Sequence, residues 1–207
     1  MQIRSENFKS DQTRSENDMA TTEECVLELT KQQMITLKQQ ATLEDYKPST
    51  FEVQASHVWR IACKARGLSH DEDAKLYIPI DGRSRLKDTL PQGYCGNTLF
   101  HAICLEKAGD VISKPIWFAA SKIREAIKKW DDINYLKSSI DYVESYPNLT
   151  DITLGPNTFT SPNLTINSWV RLPCLEADFG WNGPNYMGIN GIKYEGITYI
   201  TSSPKGD

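Results

Sequence analysis

Apolar residues recur at helical spacing in several stretches of the chain, and two of these stretches open with a capping box. Thr30 with Gln33, and Ser49 with Glu52, pair a hydroxyl residue with a Gln or Glu three positions later. This arrangement satisfies free amides at the start of a helix. The second stretch predicts a packed helix that ends at Gly67. Its apolar residues are Phe51, Ala55, Val58, Trp59 and Ala62.

Two further helices are predicted in the middle of the chain. Ser113 and Pro115 suit the start of a long helix, because proline fits the first turn and breaks a helix elsewhere. A second helix covers about 134–145 and ends before Pro147. The long helix has one apolar face, formed by Ile116, Ala119, Ala120, Ile123, Ala126, Ile127 and Trp130.

Five other stretches predict strands, because they are rich in β-branched and aromatic residues between turn signals. They are 25–29 ("CVLEL"), 75–80 ("KLYIPI"), 97–105 ("NTLFHAICL"), 164–172 ("LTINSWVRL") and 192–200 ("IKYEGITYI"). Strands and helices alternate without an internal repeat, which predicts the α/β class.

Composition narrows the possible partners. The chain has 207 residues and a net charge of -4, with no basic stripe, so we expect no nucleic-acid partner. The longest apolar stretch, near "IWFAA", is far shorter than the roughly 20 residues that span a bilayer, so no membrane partner is expected. The polar residues 1–24 predict disorder or a segment outside the fold. The fold itself is expected over 25–207 and, since the chain ends just after a strand, incomplete at its C-terminus.

The cysteines are odd in number, widely spaced and lack a C-x-x-C pair. This pattern favours buried, reduced thiols and a cytoplasmic location over disulfides or a zinc site. The N-x-T sequons at Asn148 and Asn163 are therefore expected to stay unmodified. The five cysteines are Cys25, Cys63, Cys95, Cys104 and Cys174.

Several candidate chemical sites favour ordinary structural interpretations. "DFGWNGP" (178–184) opens with the triad that holds magnesium in kinases, but no H-R-D, A-P-E or glycine-rich loop accompanies it, which excludes a kinase. His70 in "SHDEDAK" adjoins a run of acids typical of a solvated turn, so no metal site is predicted. His57 is expected to be a core histidine. The tryptophans expected in the core are Trp59, Trp117 and Trp130.

Six segments together resemble the plant acyl-CoA-dependent acyltransferases of the BAHD family, in order and at nearly the same spacing. They are "STFEVQASHVWRIACKARGL", "KLYIPIDGRSRL", "GYCGNTLF", "AGDVISKPIWFAA", "PNLTINSWVRLP" and "ADFGWNGPNYMG". The resemblance covers about residues 25–203 and is nearest to the hydroxycinnamoyl-CoA transferases of the shikimate and quinate type. "DFGWN" is similar to that family's D-F-G-W-G motif.

The resemblance implies a chloramphenicol-acetyltransferase-like fold with a mixed sheet flanked by helices, of which this chain would be the C-terminal part. Two such domains would enclose a channel that acyl-CoA, the co-substrate, and a small-molecule acceptor enter from opposite faces. No bound cofactor is implied, and full-length relatives are expected to be monomers. The implied reaction is hydroxycinnamoyl transfer from the CoA thioester to an alcohol or amine, in plant phenylpropanoid metabolism.

The family's general base is a histidine in an H-x-x-x-D motif, which deprotonates the acceptor. His57, His70 and His101 are followed four residues later by Ile61, Ala74 and Leu105, so none forms this motif. Two interpretations therefore stay open. The chain is the C-terminal part of an acyltransferase, or it is a non-catalytic remnant that binds CoA or another chain, or associates with itself through apolar surface.

The resemblance also implies roles for the "DFGWN" residues. Asp178 is the motif's acid and its catalytic candidate, but the resemblance favours a structural role, in an ion pair with Arg83 or Arg85. Phe179 completes the motif core, and Gly180 is expected in a backbone conformation that residues with a Cβ avoid. Trp181 is expected in the core. Asn182 replaces the family's glycine and should tolerate the left-handed conformation.

Three segments are implied to bind acyl-CoA: a helix start, a basic loop and the end of a strand. The physics agrees in part, because a helix start offers amides and a basic loop offers charge to phosphate; the alternative is a capped helix and a solvated loop. The residues are Ser49, Thr50, Phe51, Glu52, Asp81, Gly82, Arg83, Ser84, Arg85, Leu86, Lys87, Ser168, Trp169, Val170 and Arg171.

Two positions are implied to face the acceptor. Where shikimate-type members carry an arginine and a threonine, this chain has Leu154 and Asn167. A leucine cannot form the two-pronged hydrogen bond that a carboxylate favours. We therefore expect an amine or a neutral alcohol as acceptor in place of shikimate or quinate.

Overall fold

The computed structural model describes residues 23–86, 89–149, 152, 154–173, 176–184 and 187–202. Most of the segment 1–24 lies outside this part, so its predicted disorder stays a prediction. The helices are α1 (Lys31–Ala41), α2 (Thr50–Ala65), α3 (Ala108–Ser113), α4 (Ile116–Lys128) and α5 (Ile133–Ser145). The strands are β1 (Asp73–Asp81), β2 (Leu99–Lys107), β3 (Leu164–Ser168) and β4 (Ile197–Ile200). The α/β class is confirmed.

The four strands form one mixed sheet in the order β2-β1-β3-β4. β1 pairs antiparallel with β2 over its whole length, whereas β1 with β3, and β3 with β4, pair in parallel. A parallel pair needs a crossover connection, and here the chain between β1 and β3 supplies β2 and three helices. β1 is therefore a central strand of the sheet.

Both predicted capping boxes are present. At α1, the hydroxyl of Thr30 accepts the amide of Gln33, whose side chain in turn accepts the amide of Thr30. At α2, the Ser49 amide donates to Glu52 Oε2 at 2.8 Å, and the Glu52 amide donates to Ser49 Oγ at 3.2 Å. These reciprocal bonds explain why both helices begin where the sequence predicts.

The helices cover one face of the sheet, which we call the helical face. Successive side chains of a strand point to opposite faces, so alternate residues of β1 share one environment. On the helical face, β1 and β2 residues pack in one core with α2 and α4 residues such as Trp59 and Ile123, both fully buried. The β1 and β2 residues in this core are Ala74, Leu76, Ile78, Ile80, Ala102 and Cys104.

The opposite face of the sheet, which we call the open face, is less covered at the β2 edge. Leu99, Ile103 and Leu105 of β2 belong to it and are 55%, 48% and 48% exposed. Tyr77, in the middle of β1, is 3% exposed, and Thr165 beside it in β3 is 4% exposed. Coverage of the open face therefore differs from strand to strand.

Three strand predictions need correction. The strand predicted at 25–29 is wrong: the segment is irregular and has no strand partner among the described residues, and its Val26 is 93% exposed. The strand predicted at 164–172 ends at Ser168, where the chain turns. The strand predicted at 192–200 begins only at Ile197, because Gly196 lies against Phe159, whose carbonyl accepts its amide at 2.7 Å. The short helix α3 was not predicted from the sequence.

The predictions of buried thiols and tryptophans hold in part. Cys63 and Cys104 are buried, and burial raises the pKa of their thiols to about 11 and about 12. Cys25 and Cys95 are exposed, which contradicts the prediction for these two, and Cys174 lies outside the described residues. Trp59 and Trp130 are core residues, whereas Trp117 is only half-buried. None of the described helices is long and apolar enough to cross a membrane.

A leucine-to-alanine substitution should destabilise the protein more on the helical face than on the open face. Leu76→Ala empties a fully buried position on the helical face and should lower the free energy of unfolding by about 2–5 kcal/mol. Leu105→Ala, on the open face, should lower it by less than about 1 kcal/mol. Urea unfolding followed by circular dichroism measures both values, and equal losses would contradict this assignment of faces.

Candidate functional site

The three parallel strands end at the same edge of the sheet, which we call the carboxyl edge. The chain leaves β1 there at Asp81 and leaves β3 at Ser168. In open α/β sheets, ligands bind in the crevice outside the carboxyl ends of the strands. Two of the three segments predicted to bind acyl-CoA, 81–87 and 168–171, therefore begin at this edge.

The third predicted segment, at the start of α2, points to the same edge. The other end of α2 lies at the amino ends of the strands, because Arg66 donates to the carbonyls of Asn163 at 2.8 Å and of Glu195 at 3.4 Å. Asn163 directly precedes β3, and Glu195 lies just before β4. A helix of 16 residues is about 24 Å long, so Ser49 at its start lies toward the carboxyl edge.

Arg83 folds the loop after β1 onto itself. Its guanidinium bonds Asp81 Oδ1 at 3.0 Å and donates to the carbonyls of Tyr94 at 3.1 Å and Gly96 at 2.9 Å. Burial alone would raise the pKa of Asp81, but hydrogen bonds from the amide and guanidinium of Arg83 hold it below its ordinary value. The positive charge of Arg83 is thus largely committed within the loop.

Arg85 ties the same loop to the helical layer. It pairs with Asp131 at 3.0 Å and donates to the carbonyl of Asp81 at 3.0 Å. Asp131 ends the 3-10 turn that follows α4. The predicted ion pair of Asp178 with Arg83 or Arg85 is therefore wrong in this structure, because both arginines have other carboxylate partners. Lys87 lies outside the described residues.

Glu52 is committed to a structural ion pair at the start of α2. Its carboxylate receives two hydrogen bonds from Arg124 of α4, at 2.7 Å and 3.0 Å, and is almost buried. Arg124 also donates to the Lys47 carbonyl at 2.6 Å and lies over the ring of Tyr46. Burial, and then the charge of Glu52, raise the pKa of Tyr46 to about 12. This cluster fixes the helix start without presenting a free carboxylate to a phosphate.

The "DFGWNGP" turn is stabilised by its own aspartate. Asp178 Oδ1 accepts the amides of Gly180 at 2.7 Å and Trp181 at 3.1 Å. Gly180 has φ +95°, and Asn182 has φ +78°, which confirms both backbone predictions. The core prediction for Trp181 is wrong, because Trp181 is 84% exposed and Phe179 is 82% exposed. Asp178 thus shapes the turn through local hydrogen bonds.

The end of β3 presents a mixed surface. The Trp169 amide donates to the Ile200 carbonyl at 2.8 Å, and its indole ring packs edge-on against Tyr199 at 5.3 Å between ring centroids. Val170 and Arg171 are exposed. Asn167 lies on the open face opposite Tyr199 in the strand register. Binding of acyl-CoA by these residues stays a prediction.

The second predicted acceptor residue lies on a separate segment. Leu154 is 41% exposed and precedes the 3-10 turn Pro156–Phe159. The Thr158 carbonyl in this turn accepts the hydroxyl of Thr165 at 3.4 Å. The turn therefore packs beside β3 two residues from Asn167. Leu154 and Asn167 lie on separate segments, and their joint role stays a prediction.

The three histidines occupy different environments. His57 is half-buried in α2, where burial and the charges of Arg60 and Lys64 lower its pKa, so the core prediction holds only in part. His70 is exposed, and the described residues contain no group of three or more metal-ligating side chains placed to hold an ion. His101 lies on the open face, and burial lowers its pKa as well. From the sequence, His101 has no predicted role, because it does not form an H-x-x-x-D motif.

Comparison with known proteins identifies the family. A sequence model described as the Transferase family matches residues 1–207. The chain is 49% identical over 185 residues to the shikimate O-hydroxycinnamoyltransferase of Nicotiana tabacum, covering 88% of this chain and 42% of that protein. It is 44% identical over 187 residues to anthranilate N-benzoyltransferase protein 2 of Dianthus caryophyllus, with the same coverage. The chain belongs to the BAHD acyltransferase family, whose members are acyl-CoA-dependent enzymes.

Solved structures support the fold. The TRI101 protein of F. sporotrichioides, solved with coenzyme A and T-2, matches with a TM-score of 0.70 at 19% identity, over 84% of this chain and 42% of that one. Vinorine synthase matches with a TM-score of 0.63 at 19% identity, over 86% and 40%. These likenesses confirm the predicted fold class. The chain spans less than half the length of the proteins it matches.

The ion pair at the start of α2 predicts a stability effect. Glu52→Gln keeps the shape of the side chain but removes the charge that Arg124 binds, and should lower the free energy of unfolding by about 1.5–3 kcal/mol. Glu125→Gln is the matched control, because this exposed carboxylate pairs only loosely with Lys122, at 3.8 Å, and should cost under about 0.5 kcal/mol. Thermal or urea unfolding gives both values, and a neutral Glu52→Gln would contradict the structural role.

Proposed function

We propose that this chain is the C-terminal part of an acyltransferase that moves a hydroxycinnamoyl group from CoA to an alcohol or amine acceptor. The observation that carries the proposal is the 49% identity to the tobacco hydroxycinnamoyltransferase over 88% of the chain. The named relatives include both an O-transferase and an N-transferase, so oxygen and nitrogen acceptors both occur among similar sequences. We place the protein in the cytoplasm, which suits its odd number of cysteines without a C-x-x-C pair.

In this proposal the reaction needs a general base and a site for acyl-CoA. A general base removes the proton of the acceptor, whose oxygen or nitrogen then attacks the thioester carbonyl, and the tetrahedral intermediate collapses with loss of the CoA thiolate. The chain contains no H-x-x-x-D motif, so we propose that the base lies in the part of the relatives that this chain does not match. The chain contributes the carboxyl edge, where two of the three predicted acyl-CoA segments begin and toward which the third lies.

The contacts at the carboxyl edge separate the residues proposed to bind the phosphates of acyl-CoA from those that hold the edge in shape. The capping box uses the amides of Ser49 and Glu52, so Thr50 and Phe51 supply the helix-start amides for a phosphate. Arg83 and Arg85 hold the loop in shape through Asp81 and Asp131. The exposed Arg171, which follows β3, supplies a positive charge for a phosphate of CoA.

The acceptor is proposed to be an amine or a neutral alcohol. Leu154 and Asn167 stand at the positions where shikimate-type members hold a carboxylate with an arginine and a threonine. Neither side chain carries the charge that would offset the desolvation of a carboxylate. Shikimate and quinate are therefore expected to be poor acceptors.

A second candidate function is non-catalytic: a chain that binds CoA or a partner chain, or associates with itself. Two observations favour it, namely the missing H-x-x-x-D motif and the exposed apolar residues of the open face and of the "DFGWNGP" turn. Contiguous exposed apolar surface of more than a few hundred Å² promotes association. An activity measurement separates the two candidates.

The test uses a chimera, defined here as the tobacco relative with its matched segment replaced by that of this chain. With p-coumaroyl-CoA and a panel of shikimate, quinate, spermidine and tyramine, the chimera should release CoA and acylate an amine. The 207-residue chain alone should release at least about a hundredfold less, which is the smaller contribution expected of a general base. Mass spectrometry detects free CoA and the acylated acceptor.

The unmodified tobacco relative serves as the positive control, and circular dichroism establishes that each protein is folded. A folded chimera without turnover would overturn the proposal and favour the non-catalytic function. Turnover by the chain alone would show that another residue replaces the missing base.

A further inference from the structure

His101 projects from the open face of the sheet. Its neighbour Ala102 lies in the core on the helical face, so the alternation of the strand directs His101 to the other side. In the register of β1 and β2, His101 stands opposite Pro79. Leu99 and Ile103 flank it on the same face and are both about half exposed. The imidazole is therefore a polar group among apolar neighbours.

The pairing of β1 with β3 ends before it reaches this position. The pairing of β1 with β3 comprises Leu76 with Leu164 and Tyr77 with Thr165, and stops there, although both strands continue toward the carboxyl edge. Pro79 has no amide hydrogen with which to extend a ladder. Continuing the register by two residues places Asn167 beside Pro79, on the same face of the sheet.

The separation of His101 and Asn167 suits one ring. Adjacent strands lie about 4.8 Å apart, so His101 and Asn167, two strands apart, are separated by roughly 10 Å or more between their Cα atoms. Two hydrogen bonds of about 2.8 Å and one six-membered ring between them span a distance of this order. A single ring with a polar group at each end can therefore reach both side chains.

The imidazole is available for such a bond. No residue in the described part of the chain hydrogen-bonds a ring nitrogen of His101. Burial lowers its pKa and so favours the neutral ring, which offers one donor and one acceptor. A neutral imidazole can donate a hydrogen bond to a hydroxyl group or accept one from it. Neither this imidazole nor the side chain of Leu154 provides a positive charge for a carboxylate.

We propose that His101 is a specificity-determining residue that hydrogen-bonds a ring hydroxyl of the acceptor on the open face of the sheet. The inference rests on the proposed function and deepens it, because it names the chemical class of acceptor: a six-membered ring with a hydroxyl group remote from the nucleophile. Asn167 contacts the other end of the same acceptor.

The test compares tyramine with phenethylamine, two amines that differ only in the ring hydroxyl, as acceptors for the chimera. The parent chimera should prefer tyramine by about tenfold in kcat/KM, the value expected for one hydrogen bond. His101→Ala should abolish the preference by raising the KM for tyramine, with the KM for p-coumaroyl-CoA unchanged. His101→Asn, which keeps a hydrogen-bonding group, should restore part of it.

Leu105→Ala provides the matched control, because Leu105 lies on the same strand and face but nearer the amino ends of β1 and β3. It should leave the preference for tyramine unchanged. A preference that persists in His101→Ala, or a parent chimera that turns over its acceptors without discriminating between the two amines, would overturn this inference alone. A parent chimera that is folded but inactive with every acceptor would overturn the proposed function, and this inference with it.

Discussion

The strict alternation of side chains along β1 determines how the rest of the structure is arranged. One set of its residues, which includes Leu76 and Ile78, packs in a single core with α2 and α4. The other set, which includes Tyr77 and Pro79, belongs to the open face. A shift of register by one residue would move the whole apolar set to the other face. Because β1 is central in the sheet, its register also positions His101 and Asn167 on the same face.

Charged side chains at the carboxyl edge mainly hold the edge in shape. Glu52 is bound by Arg124, Arg83 folds its own loop, and Arg85 anchors that loop to Asp131. A charge already paired in this way gains less from a new partner than an unpaired charge does. The phosphates of CoA are therefore expected to rely on helix-start amides and on Arg171. Arg83 and Arg85 contribute indirectly, because they hold the loop that borders the site in place.

Local sequence signals predicted four of the five described α-helices, because a capping box such as that of Ser49 and Glu52 is a contact between residues three apart. The strand predicted at "CVLEL" was wrong, since a strand needs a partner and propensity does not supply one. The pairs of Glu52 with Arg124 and of Arg85 with Asp131 join residues 72 and 46 positions apart. No local pattern reports such distant contacts, and the predicted pairing of Asp178 failed for this reason.

The central claim is that the chain supplies the acyl-CoA side of a transferase at the carboxyl edge of its sheet. Hydrogen–deuterium exchange of the chimera with and without coenzyme A tests this claim most directly. With coenzyme A bound, we expect slower exchange at the start of α2 and in residues 81–86 and 168–171. Exchange should be unchanged at the opposite edge, in residues 66–72. Protection confined to residues 66–72 would contradict the claim. A lack of protection anywhere in the part of the chimera that comes from this chain would contradict it too.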